Sequence, residues 1–193
     1  MRTDLIRIQI RRAWEEEATS QEFGRLVRHQ LADAGAGTVP EDSRTLREIL
    51  DGWRAQLESV PDLIDAMRQA AERFGVAAGV EPVLHAAEGY FLDEQDVLPD
   101  SHGVIGLLDD VYLTLSLLQT VSECHRSQCG VPLMEADLHE SIAAARLLFR
   151  GERLVALDER IQTSLRSPDL TESIARLTTL AKVLGARGRA ATA

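Results

Sequence analysis

The side chains with the most reactive chemistry in this chain fall in one acidic stretch. His85 and Glu88 are three residues apart, a spacing that puts both on one face of a helix. Asp96, Asp100 and His102 follow in a short polar run, and Asp109 and Asp110 stand side by side near the start of an apolar segment. Imidazoles mixed with carboxylates suit manganese, iron or zinc, whereas carboxylates with water suit magnesium or calcium. These seven residues are the candidate ligands of a divalent metal ion, and metal-assisted hydrolysis is the chemistry they would support. The set has no adjacent His-Asp pair and no Glu-x-x-Glu or Glu-x-x-His pairing on two further helices, so it falls short of a complete constellation. Each residue also has a structural reading. Asp96 and Asp100 can accept orphan N–H groups at a turn, and His85 and Glu88 can face water.

The same stretch dominates the charge. Of 193 residues, 31 are acidic and 21 are Lys or Arg, for a formal net charge of -10. Residues 74–125 hold nine of the acids and no Lys or Arg, so the remainder balances 22 against 21. An acidic chain argues against broad binding to nucleic acid or anionic lipid. It also means that a buried Asp109 or Asp110 needs a base from a flanking helix, a histidine or an ion.

Other chemistry is sparser. Cys124-His125 and Cys129 form a second cluster, with His139-Glu140 ten residues on. The thiols read as a packed or redox pair, with a disulfide across a loop disfavoured in a reducing compartment; too few ligands follow for a four-ligand zinc site. No Gly-x-Ser-x-Gly, P-loop or Gly-x-Gly-x-x-Gly occurs. Arg7, Arg11 and Arg12 are followed by Glu15, Glu16 and Glu17, the pattern of a solvated helix face. Leu5, Ile6, Ile10 and Trp14 are more apolar than one helix face needs and are the candidate interaction face for a dimer seam or a docked helix.

The elements that must position these residues are helical almost throughout. One long helix or two shorter ones cover residues 3–34, with Gly24 a point of interruption, and residues 34–40 form a loop on Gly and Pro content. A helix starts near Ser43, with capping-box spacing at Thr45 to Glu48. Pro61 fits the first turn of a second helix that Gly75 and Gly79 end, and Pro82 opens a third. A polar turn spans residues 93–103, and an apolar helix runs from Val104 to about Glu123. Helices near 135–150 and 152–165 follow, and Ser167-Pro168-Asp169 begins the last, ending at Gly185 before a frayed tail. Val111 to Val121 is too short and too polar to span a membrane, and Asp109 and Asp110 precede it. The first fourteen residues lack a signal-peptide core.

Residues 90–110 carry a pattern in which an apolar helix ends in Tyr90, then Asp96, Leu98, Pro99 and Asp100 form a turn, Gly106 follows, and Asp109-Asp110 open a second apolar helix. This resembles the YkvA-like family, domain of unknown function 1232, over residues 83–122. The resemblance implies a helical hairpin with Tyr90, Asp96, Pro99, Asp100, Gly106, Asp109 and Asp110 as its motif positions. It implies no reaction. Many relatives look membrane-associated, which makes peripheral membrane association one reading of the hairpin.

The expectation is an all-α bundle of about seven or eight helices around a central apolar hairpin, forming one domain overall. Its parts are an N-terminal helical region at 1–78, the hairpin with its acidic turn at 79–126, C-terminal helices at 127–186 and a tail at 187–193. The expected function is that of a non-enzymatic, cytoplasmic interaction protein: an adaptor, regulator or accessory subunit with a protein partner or self-association. The alternatives are a metal-dependent hydrolase or metal-binding protein using the acidic cluster, and a peripheral membrane protein.

Overall fold

The computed structural model describes residues 2–36, 40, 43–92, 100–149 and 152–191. Among them are eight α-helices and no strand: α1 (Arg2–Ser20), α2 (Glu22–Leu31), α3 (Arg44–Arg73), α4 (Ala77–Tyr90), α5 (Leu107–Cys129), α6 (His139–Leu148), α7 (Glu152–Leu165) and α8 (Pro168–Ala191). A 3-10 turn, Asp100–Ile105, leads into α5. One continuous apolar core takes residues from every helix, among them Ile6, Phe23, Leu57, Leu84, Leu115, Ala145, Leu157 and Leu177.

The N-terminal pair breaks at Gln21, not at Gly24. Gln21 adopts a left-handed conformation (φ 52°) and supplies no side-chain cap to α2. The cap comes instead from Glu17 of α1, whose carboxylate accepts the N–H groups of Phe23 (2.9 Å) and Gly24 (3.0 Å). Those donors are orphans at a helix start, and a carboxylate there also meets the positive end of the helix dipole. Gly24 lies buried beneath this cap.

Two prolines that read as helix starts lie inside helices. Ser43 is the N-cap of α3, its hydroxyl accepting the Leu46 N–H at 3.1 Å, and α3 then runs unbroken through Pro61 to Arg73. A mid-helix proline costs about 3 kcal/mol. Here Leu57, Val60, Pro61, Ile64 and Met67 form one buried stripe, and burying each large side chain contributes about 1.5–3 kcal/mol, so packing outweighs the break. Pro82 is likewise internal to α4, which starts at Ala77.

α5 is the buried central helix. Leu108, Val111, Leu115 and Leu118 are inside, and so are Asp109, Asp110, Thr114 and His125. It ends at Gly130, whose left-handed backbone (φ 85°) directs its N–H to the Arg126 carbonyl at 2.8 Å. α4 packs on it, with the Thr114 hydroxyl donating to the Ala87 carbonyl at 3.4 Å. Yet both α4 and α5 share their larger interface with α8. The centre of the bundle is therefore a three-helix unit. Gly79 permits the closest approach: a Cβ there would lie 2.6 Å from the Leu177 backbone nitrogen. The last helix continues past Gly185 to Ala191, over residues expected to fray.

Candidate functional site

The acidic stretch receives its base from α3. Arg68 donates from one Nη to Glu88 at 2.7 Å, from Nε to both oxygens of Glu81 at 3.3 Å, and from the other Nη to Asp65 at 3.0 Å. Glu88 is only 3% exposed. Burial alone would lower the Arg68 pKa; the hydrogen bonds and charges of Glu88 and Glu81 outweigh it and raise it. The network reaches α1 through Arg7, which bonds Asp62 at 2.9 Å and Asp65 at 3.4 Å. Its outer end is His85, 3.2 Å from Glu81.

This geometry separates the two residues that spacing placed together. His85 is exposed and turned to Glu81, while Glu88 is buried and held by the Arg68 guanidinium. Asp109 and Asp110 lie fully buried in the first turn of α5, where the helix dipole favours negative charge. Asp96 and Pro99 lie outside the described residues, as do the side chains of Asp100 and His102. Among the described residues no group of three His, Cys, Asp or Glu side chains converges to hold a metal ion.

A cleft of about 590 Å³ opens between α4 and the α7–α8 corner. It is lined by His85 and Tyr90 from α4 and by Ser164, Asp169, Ser173 and Arg176 opposite. The Tyr90 hydroxyl donates to Ser164, and the Arg160 guanidinium lies 5.3 Å from the Tyr90 ring centroid. On its rim Arg176 pairs with Glu172 at 2.8 Å and His85 lies beside Glu81. The cleft can bind a polar group through hydroxyls; among the described residues no serine of its lining is hydrogen-bonded to a histidine or a carboxylate.

Two further polar clusters lie along α5. Tyr112 of α5 donates to Asp158 of α7 at 2.7 Å, and Arg146 of α6 bonds both, at 3.2 Å and 2.6 Å. Burial first, and then the bond and charge of Asp158, push the Tyr112 pKa up to about 12. At the other end of α5 both cysteines are free. Cys124 faces Thr178 at 3.3 Å and Cys129 faces His125 at 3.2 Å. Five residues apart on one helix, they point in different directions and do not form a bridge.

The N-terminal apolar set divides in the same way. Ile6 and Ile10 are core residues and Trp14 is half-buried, edge-on to Phe23 at 6.0 Å, while Leu5 and Ile8 remain exposed. Arg68, Arg146 and Asp158 carried no distinguishing signal in the sequence. Only the absence of any base between Arg73 and Arg126 announced that one had to come from elsewhere. Comparisons with protein-family models, curated proteins and solved structures found no match.

Proposed function

We propose that this is a non-enzymatic, cytoplasmic interaction protein, an adaptor, regulator or accessory subunit in which α4 and α5 are the arms of a YkvA-like hairpin. The observation that carries the reading is the open α4–α8 cleft, whose lining mixes hydroxyls with charged groups, on a framework tied down by Arg68. Such a surface can form hydrogen bonds to a partner without reorganising, as pre-organised interfaces do. The function is then recognition of another protein or of a second copy of the chain. The two free thiols suit a reducing compartment.

The test is a photo-crosslinking amino acid placed in turn at exposed positions around the cleft and over the other faces of the full chain in cells. One discrete adduct of fixed mass at clustered positions is expected. Monomer alone at every position would overturn the reading. Metal analysis of the purified protein is the companion measurement: stoichiometric metal that Asp109→Ala or Asp110→Ala removes would return the acidic cluster to metal chemistry.

A further inference from the structure

We infer that the outer face of α1 is a seam at which two copies of this chain pair, with their α1 helices antiparallel. The inference goes beyond the cleft reading and does not rest on it, since it concerns a different helix.

One side of α1 is buried: Thr3, Ile6, Ile10, Ala13 and Glu17 face the core. Helical periodicity puts Leu5, Ile8, Arg12, Glu15 and Thr19 together on the opposite side. Leu5 is 50% and Ile8 43% exposed, and Arg12, Glu15 and Thr19 are exposed as well. Their spacing alternates three and four residues, the spacing by which two helices pack side by side. Arg11 and Glu16, also exposed, flank the stripe.

The charges name the occupant. Arg11 and Arg12 precede Glu15 and Glu16, so the face is neutral in sum but basic at one end and acidic at the other. Among the described residues none of these four side chains makes an ion pair. Pairing along the helix would put each base N-terminal to its acid, the weaker order. A wholly acidic or wholly basic partner would match one end of the face and repel the other. A second copy turned end to end matches both. Arg12 then meets Glu15 of the other copy and Arg11 meets its Glu16, and the two-fold axis repeats each contact.

Shape supports the same register. Arg12, Glu15, Glu16 and Thr19 border a hollow of about 520 Å³. With Arg12 opposite Glu15, Ile8 of each copy falls opposite Thr19 of the other, so an exposed apolar side chain enters each hollow. The paired stretch from Ile8 to Thr19 is about 17 Å long. A seam of one helix pair belongs to the small class of interface, so monomer and dimer exchange. The polar pair at its middle sets orientation and register at some cost in strength.

Analytical ultracentrifugation of the full-length chain over about 1–100 μM should show a monomer–dimer equilibrium. Raising salt from about 50 to about 300 mM should weaken the dimer. Arg11→Glu with Arg12→Glu should raise the dissociation constant by about tenfold or more, and so should Glu15→Arg with Glu16→Arg. Mixed in equal amounts, these two variants should sediment as a heterodimer, because every contact again joins opposite charges. Arg12→Ala, the milder change, should melt as the wild type and weaken the dimer by less. Leu147→Ser, at an exposed apolar residue of α6, should leave it unchanged. A wild-type chain that stays monomeric throughout, a dimer indifferent to both charge reversals, or reversed variants that stay monomeric when mixed would each overturn the seam. So would a dimer lost only on Leu147→Ser, which would move the contact to α6. The cleft reading is decided separately, by the crosslinked adducts.

Discussion

Glu88 and Arg68 are twenty residues apart and are the pair on which the acidic stretch depends. A carboxylate this buried is tolerable only with its cation in place, and removing one partner of a buried pair leaves an uncompensated charge. Arg68→Ala should therefore destabilise the protein by about 3 kcal/mol, lowering the melting temperature by roughly 6–12 °C in a circular-dichroism melt. Arg68→Met with Glu88→Leu should recover much of that loss, because no charge is then left buried. Tyr112 gives a second check at this scale. Its pKa is raised to about 12, so its neutral form is the one the fold favours. Its contribution is complete below about pH 10, the unfolded value, and is lost as pH rises through the folded value. Tyr112 should give a late step, near pH 12, in an ultraviolet titration, and Tyr112→Phe should remove that step.

At the scale of elements, α4 and α8 meet where Gly79 faces the Leu177 backbone. No flexible side chain is available there to give way, since the nearest atoms are main-chain nitrogen and Cα. Gly79→Ala must push the helices apart at the centre of the bundle. A cost of about 1–3 kcal/mol is expected, against a slight gain from helix propensity alone, and chemical denaturation will show which dominates. Capping follows similar logic. Gln21 leaves α2 without its own cap, and Glu17, four residues earlier on another helix, supplies it. The prolines were misleading for the converse reason: local rules end a helix at proline, but the buried stripe from Leu57 to Met67 keeps α3 whole.

For the molecule as a whole, the segment Gly103–Cys129 is long and apolar enough to cross a membrane by length and composition, but 83% of its window is buried by the other helices. Insertion would require those helices to leave it and would bring Asp109 and Asp110 into lipid. The folded protein should remain at the bottom of a flotation gradient with anionic vesicles. Co-flotation at native pH would favour the peripheral-membrane alternative. The net charge acts at this scale too. It is concentrated on α4, the turn and α5 in sequence, but in space Arg68 of α3 reaches across to meet Glu81 and Glu88.

The all-α class, the approximate number of helices and a helix start near Ser43 were legible in the amino-acid sequence alone, because helical periodicity and capping act over a few neighbouring residues. The placement of Asp109 and Asp110 near the start of an apolar helix was legible for the same reason. Tertiary structure decided the rest. It chose Arg68 as the base for Glu88, turned His85 away from it, buried Ile6 and Ile10, and set α8 against both α4 and α5. Spacing along a helix tells which residues share a face; which face meets which neighbour depends on how whole helices pack, and no local pattern encodes that.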